Sequence, residues 1–206
     1  MTPSMTSDLA YLKDLAEAGQ NAPLLGGRFL AWWGGLASVA YVGHFLIASG
    51  FAGLEPVALA YMWSGFMLLG LGGQVMMART FPASKPGAAS LGNKVSQTVW
   101  MAGGMALFSF FAGVVLKSVF EGQASIGFIW SVPVVLAVYG LCQLTAGLLA
   151  NARPLILAGW GAIIGVGVAA VFSGSNAIWI VGAVTAALTV FLPGLLLMRG
   201  EPAETV

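Results

Sequence analysis

Residues 155–198 read LILAGWGAIIGVGVAAVFSGSNAIWIVGAVTAALTVFLPGLLLM, and this stretch contains no Lys, Arg, Asp or Glu. A helix needs roughly 20 mainly apolar residues to cross a hydrocarbon core about 30 Å thick. The stretch is long enough for two such helices, 155–172 and 177–198, with a short connection at 173–176. It therefore predicts an antiparallel pair of transmembrane helices.

The rest of the chain has the same character. Of its 206 residues, 59% are hydrophobic and only 7% are charged, whereas an average soluble domain carries about 25% charged residues. Uncharged apolar stretches predict six spans in all: 29–49, 57–78, 95–116, 126–150, 155–172 and 177–198. Every charged residue lies outside them, as expected if an ion in hydrocarbon costs several kcal/mol. We therefore predict an all-α integral membrane protein, a bundle of six transmembrane helices over 29–198.

The two ends of the chain are predicted to lie on the cytoplasmic side. Residues 1–28 form an N-terminal segment with a short amphipathic helix over 7–18, and 199–206 form a C-terminal tail. Basic residues concentrate on the cytoplasmic side of short loops. Seven of the eight basic residues fall on the side of the termini: Lys13, Arg28, Arg79, Lys85, Lys94, Arg153 and Arg199. The expected location is the cytoplasmic (inner) membrane, with the lipid bilayer as the surroundings of a multi-pass protein.

The seven tryptophans all fall within the first two turns of a predicted span. Tryptophan is enriched at both membrane–water interfaces, where its ring lies at the depth of the headgroups. This placement favours tryptophans that anchor the helices at the two interfaces.

Small residues and prolines predict how the helices pack. Gly161, Gly165, Ala169 and Ser173 recur every four residues of the fifth span and form a groove that lets another backbone approach closely. That neighbour is either a helix of the same bundle or a second protomer. Pro133 and Pro193 interrupt the fourth and sixth spans, and each is predicted to bend its helix. Transporters use broken helices to expose backbone at a binding site, although ordinary membrane helices also tolerate proline.

The residues that the chain lacks exclude several chemistries. One cysteine and one histidine leave no disulfide, no thiolate metal cluster and no zinc-binding HExxH motif. Uncharged spans exclude an intramembrane aspartyl protease and a retinal Schiff base. We expect no enzymatic activity, no cofactor and no metal. A net charge of +1 with scattered basic residues also excludes a nucleic-acid partner.

The polar residues inside the spans are neutral and are the candidates for a solute pathway. Gln74, Gln97 and Gln143 fall at similar depth in the cytoplasmic third of their spans, whereas His44 lies near the outer end of the first. Tyr139 shares a helix face with Gln143. Hydrogen bonds between helices are one interpretation of these residues. The other is a polar lining formed by Gln74, Gln97, Gln143, His44 and Tyr139.

A short motif precedes the first span, namely Asn21-Ala22-Pro23-Leu24-Leu25-Gly26. With six spans in about 200 residues, the chain resembles the small acetate/succinate transporter family, which has Asn-Pro-Ala-Pro-Leu-Gly at this place. The first proline of that motif is absent here. The family also has a glutamine in its second span, where Gln74 stands. The resemblance implies an oligomeric pore for small monocarboxylates, with Asn21 and Gln74 near the pathway.

Two functions follow as hypotheses. The first is a channel or transporter for a small solute such as a monocarboxylate, built as a homo-oligomer. The alternative is a structural or assembly subunit of a larger membrane complex, without transport activity of its own.

Overall fold

The computed structural model describes residues 8–10, 23–80 and 87–201. Six helices in these ranges are long and apolar enough to cross a membrane: α1 Gly27–Ala48, α2 Val57–Thr80, α3 Leu91–Glu121, α4 Ile126–Leu149, α5 Arg153–Val171 and α6 Ala177–Gly200. No strand occurs in the described ranges, so the prediction of an all-helical chain with six potential spans is confirmed. The amphipathic helix predicted over 7–18 falls, apart from 8–10, outside the described residues.

Helix α3 is longer than the span predicted at 95–116. It begins after Ser90, whose hydroxyl accepts a hydrogen bond from the backbone N–H of Asn93 at 3.3 Å, and this N-cap adds a turn. It ends at Gly122, where a φ of 65° stops the helix in the left-handed region. At 1.5 Å per residue its 31 residues measure about 46 Å. This length exceeds the thickness of a hydrocarbon core, which is about 30 Å.

The predicted bends at Pro133 and Pro193 stay predictions, but the segments that precede the two prolines are wound differently. Helix α4 starts with a 3₁₀ segment, Ile126–Trp130, and continues as α-helix from Ser131. Pro133 therefore lies in the first α-helical turn, where a backbone N–H has no partner within the helix and its loss is harmless. Pro193, by contrast, follows a π-helical segment, Ala187–Phe191, inside α6.

The helices form a core of four with two more at its edge. α4 and α5 pack as an antiparallel hairpin, and α1 lies along the length of α6, which also contacts α5. We call these four helices the four-helix core. α2 packs on α1, and α3 packs on α4. In the most apolar 18-residue window of each helix, 6% of the residues are buried in α2 and 0% are buried in α3. Both helices therefore leave most of their surface uncovered by this chain.

Glycines let the core helices touch backbone to backbone. A Cβ added at Gly140 would lie 3.0 Å from the carbonyl oxygen of Gly159, and one added at Gly159 would lie 3.0 Å from that of Gly140. Between α1 and α6, a Cβ at Gly27 would lie 2.6 Å from the backbone nitrogen of Met198. These separations leave no room for a side chain, so glycine sets the distance between these helices.

The small residues predicted to form a groove on α5 face α6 of the same chain. A Cβ at Gly165 would lie 2.7 Å from Cγ2 of Thr185, and one at Gly161 would lie 3.2 Å from Cγ2 of Thr189. Ala169 is fully buried, whereas Ser173 is exposed in the turn after α5. Of the two neighbours considered for this groove, a helix of the same bundle occupies it at Gly161 and Gly165.

Polar side chains connect the helix ends. Asn93, at the start of α3, accepts a hydrogen bond from the N–H of Leu25 at 2.8 Å and donates to the carbonyl of Pro23 at 2.9 Å. Glu201 accepts from the N–H groups of Gly26 and Gly27, both at 3.0 Å. A carboxylate at this position satisfies the unpaired N–H groups that begin α1 and suits the positive end of the helix dipole.

Most of the tryptophans are packed inside the bundle. Trp130 and Trp160 are 54% and 55% exposed, as interface anchors would be, but the other five are only partly exposed. Trp32, for example, donates to the carbonyl of Gly70 at 3.3 Å. The location near the end of a span does not separate an anchor from a ring that fills space between helices.

Candidate functional site

Around Pro193, the carbonyls of Leu188 and Thr189 in α6 lose their usual α-helical donors. In an α-helix, the N–H of each residue donates to the carbonyl four residues earlier. Pro193 has no N–H, so the carbonyl of Thr189 loses this donor. The helix winds more loosely just before this point, where the N–H of Leu192 reaches the carbonyl of Ala187 five residues back. Such π-bulges are frequent at functional sites.

Gln143 of α4 supplies a hydrogen bond to the carbonyl of Thr189. Its side chain is 0% exposed, and its Nε2 donates to the carbonyl oxygen of Thr189. The hydroxyl of Thr189 is used within α6, where it donates to the carbonyl of Thr185 at 2.7 Å. We call Gln143, Thr185, Thr189 and Pro193 the Gln143–Thr189 centre.

The oxygen of the Gln143 amide, Oε1, is buried and accepts no hydrogen bond from any of the described residues. The amide cannot turn over to change this, because Oε1 would then face the carbonyl oxygen of Thr189 and two acceptors would meet. The centre therefore presents a buried acceptor, and a buried polar group without a hydrogen bond costs about 1–3 kcal/mol. Its position suits a group that donates a hydrogen bond.

The three candidate glutamines lie in three different environments. Gln74 accepts a hydrogen bond from Nε1 of Trp33 at 2.9 Å, between α2 and α1. Gln97 is exposed on α3, and Gln143 is enclosed in the core. No hydrogen bond joins any two of them in the described part of the chain. Similar depth along the sequence does not bring these side chains together, because they are on helices that face different neighbours.

Tyr139 lies one turn before Gln143 on the same side of α4. It is 8% exposed, and its ring centroid is 5.9 Å from that of Trp100 on α3. Tyr139 thus belongs to the contact between α4 and α3, next to the centre.

His44 lies in a separate cluster of aromatic rings, near the end of α1 and the start of α6. Its ring stacks on Trp179 with centroids 3.5 Å apart and planes 17° apart. Nε1 of Trp63 donates to Nδ1 of His44 at 3.1 Å. Because indole only donates, Nδ1 must carry no proton, and the imidazole proton is on Nε2. Tyr41 packs against both tryptophans, with centroids 5.8 Å and 5.9 Å away.

Asn21, expected near a pathway, lies outside the described residues. In the described residues, no group of three or more His, Cys, Asp or Glu side chains is placed to hold a metal ion.

Three functional or structural positions were not predicted. Thr189 has a signal in the sequence, since the residue four places before a proline inside a helix has an unpaired carbonyl. Asn93 has one too, because Ser90 three residues earlier is a typical N-cap. Glu201 has no local signal; its partners are far away in the sequence.

Comparisons with protein-family models, with curated protein sequences and with solved structures find no match to this chain. The resemblance to the acetate/succinate transporter family therefore stays a prediction from short motifs.

Proposed function

We propose that the protein is a membrane carrier or channel for a small solute and that the Gln143–Thr189 centre is where the solute binds. The observation that carries this proposal is the buried, unpartnered Oε1 of Gln143 beside the interrupted segment of α6. Interrupted helices that expose backbone polar groups in the middle of a membrane are the usual binding sites of transporters.

The chemistry of the centre narrows the class of solute. Oε1 of Gln143 is an acceptor, so it favours a neutral molecule with an O–H or N–H group. A monocarboxylate, the solute that the resemblance implies, suits this position in its protonated form. An anion does not, because two acceptors would face each other and no Lys or Arg lies in the predicted spans.

Access to the centre requires movement, because Gln143 is 0% exposed. The π-helical segment before Pro193 is the natural hinge, since its hydrogen bonds are already displaced from the α-helical pattern. We propose that α6 bends there to open the centre.

Solute flux into liposomes tests the proposal. Purified protein is expected to raise the entry of labelled acetate above that of empty vesicles, most strongly at acidic pH, where more of the acid is protonated. Q143L is expected to lower this flux by about tenfold or more, because a buried hydrogen bond contributes about 1–3 kcal/mol. Q97L, on the exposed face of α3, is the matched control and should retain flux.

A stability control separates binding from folding. The variant Q143L/P193A lacks the amide but regains a backbone donor for Thr189, so it should be folded and still inactive. Wild-type flux no greater than that of empty vesicles would exclude acetate transport. Full flux in the double variant would remove the centre from the pathway.

A second candidate function is supported by the exposure of α3. Gln97 presents its amide on a helix whose apolar window is 0% buried, and a polar group facing lipid is unfavourable. A partner helix packed on α3 would satisfy it, as in an assembly subunit of a larger complex. Purification in mild detergent, from the same preparation as the flux assay, distinguishes the two: a stoichiometric foreign subunit favours assembly, and its absence favours transport.

We also propose the inner membrane as the location, with both termini in the cytoplasm. The support is the distribution of basic residues, seven of which fall on the side of the termini and only Lys117 on the other. Alkaline phosphatase fused to Val206 is expected to be inactive, and green fluorescent protein fused there to be fluorescent. An active phosphatase fusion would reverse the orientation.

A further inference from the structure

A second groove, separate from the one formed by the small residues of α5, runs between α5 and α6 on the outer surface of the four-helix core. Its volume is about 420 Å³. Its walls include Leu157 of α5 and Leu188, Leu192 and Leu196 of α6. These leucines are between 43% and 73% exposed, so the groove opens to the surroundings of the bundle. Its deep side reaches Thr189 and Pro193.

One end of the groove is positively charged. Arg153, the first residue of α5, is part of the groove wall and is exposed. Arg199 lies seven residues after Leu192 on α6, and this spacing puts both on one face of the helix. Because α5 begins and α6 ends at the same end of this antiparallel pair, both arginines are at that end. Neither forms an ion pair with any residue in the described ranges.

An apolar groove with two cations at one end fits a ligand that has an apolar chain and an anionic group. An acyl chain matches the leucine walls, and a phosphate matches the arginines. Basic sites between transmembrane helices on the cytoplasmic side bind anionic lipid headgroups, and a volume of this size is that of a small-molecule site.

We propose that this groove binds one anionic phospholipid of the surrounding bilayer, with an acyl chain between α5 and α6 and the phosphate at Arg153 and Arg199. The bound chain would contact the surface of α6 at Thr189 and Pro193, where that helix is interrupted. The site does not depend on the proposed transport function.

Native mass spectrometry of the purified protein tests the proposal. Detergent-solubilised protein is mixed with equal amounts of phosphatidylglycerol and phosphatidylcholine, and the bound lipids are counted. Wild type is expected to retain phosphatidylglycerol preferentially. Each arginine removed should weaken that binding by roughly fivefold, so R153Q/R199Q should lose the preference. R79Q, which removes one basic residue at the end of α2, is the control and should keep it.

A second pair of variants tests the apolar part of the site. L188W places a large ring in the groove wall and should lower binding of phosphatidylglycerol, whereas L141W, on the equally exposed surface of α4, should not. Equal retention of phosphatidylglycerol by wild type and R153Q/R199Q would overturn the proposal. An equal loss in R79Q would also overturn it, because it would show a general effect of charge. An unchanged L188W would exclude the groove as the seat of the acyl chain.

Discussion

Replacing Gln143 by Leu is expected to cost about 2 kcal/mol more in the wild-type chain than in a chain that also carries Pro193→Ala. The first change leaves the carbonyl of Thr189 buried without a donor, because Pro193 supplies no N–H and Gln143 Nε2 is gone. The second returns a backbone N–H four residues after Thr189, in position to donate to the same carbonyl.

Unfolding in detergent, followed by circular dichroism, measures both effects. The four proteins of the cycle are wild type, Q143L, P193A and Q143L/P193A, and the coupling between the two changes is the quantity of interest. Q97L is the control for replacing an amide by an apolar side chain, and we expect it to be nearly neutral. Additive effects in the cycle would show that Gln143 does not serve the carbonyl freed by Pro193.

The largest loss of stability is expected from G34V, at the contact between α1 and α6. A Cβ at Gly34 would lie 2.9 Å from the backbone Cα of Phe191 and from the carbonyl carbon of Val190. Backbone cannot rotate away as a side chain can, so the helices must separate. The cost is about 3 kcal/mol or more, at the upper end of what overpacking produces.

The matched control for this change is G104V on α3. Gly104 is also a glycine inside a long apolar helix, but a Cβ there would meet nothing within 4 Å. The same substitution should change the unfolding free energy by less than about 1 kcal/mol, because it alters only helix propensity. A similar loss at both positions would show that α1 and α6 are not held by close backbone contact.

The six spans could be predicted from the sequence because the cost of burying charge in hydrocarbon leaves a plain pattern. The stretch 155–198 contains no charge, and its two helices appear where the uncharged residues are. The predicted first and last residues of the helices were less accurate. Ser90 and Gly122 extend α3 by about a turn at each end through capping, which hydropathy does not register.

The partners of the polar side chains could not be predicted, and the reason is physical. In a soluble protein, the apolar stripe of a helix shows which face is buried. Helices that are apolar on all sides carry no such stripe, so Gln74, Gln97 and Gln143 look equivalent along the sequence. Their environments differ because α2, α3 and α4 have different neighbours. Pro133 and Pro193 also look equivalent along the sequence, although the first follows a 3₁₀ segment and the second a π-helical segment.

The pairing of α1 with α6 has a consequence for how the chain is made. Helix α1 has α6 as its principal neighbour, so the contact surface of Gly27 and Gly34 is complete only after the four intervening helices and α6 have been synthesised. Until then the newly inserted polypeptide is an open arrangement of segments. A product that stops short of α6 has no route to the native state, and quality-control proteases are its expected fate.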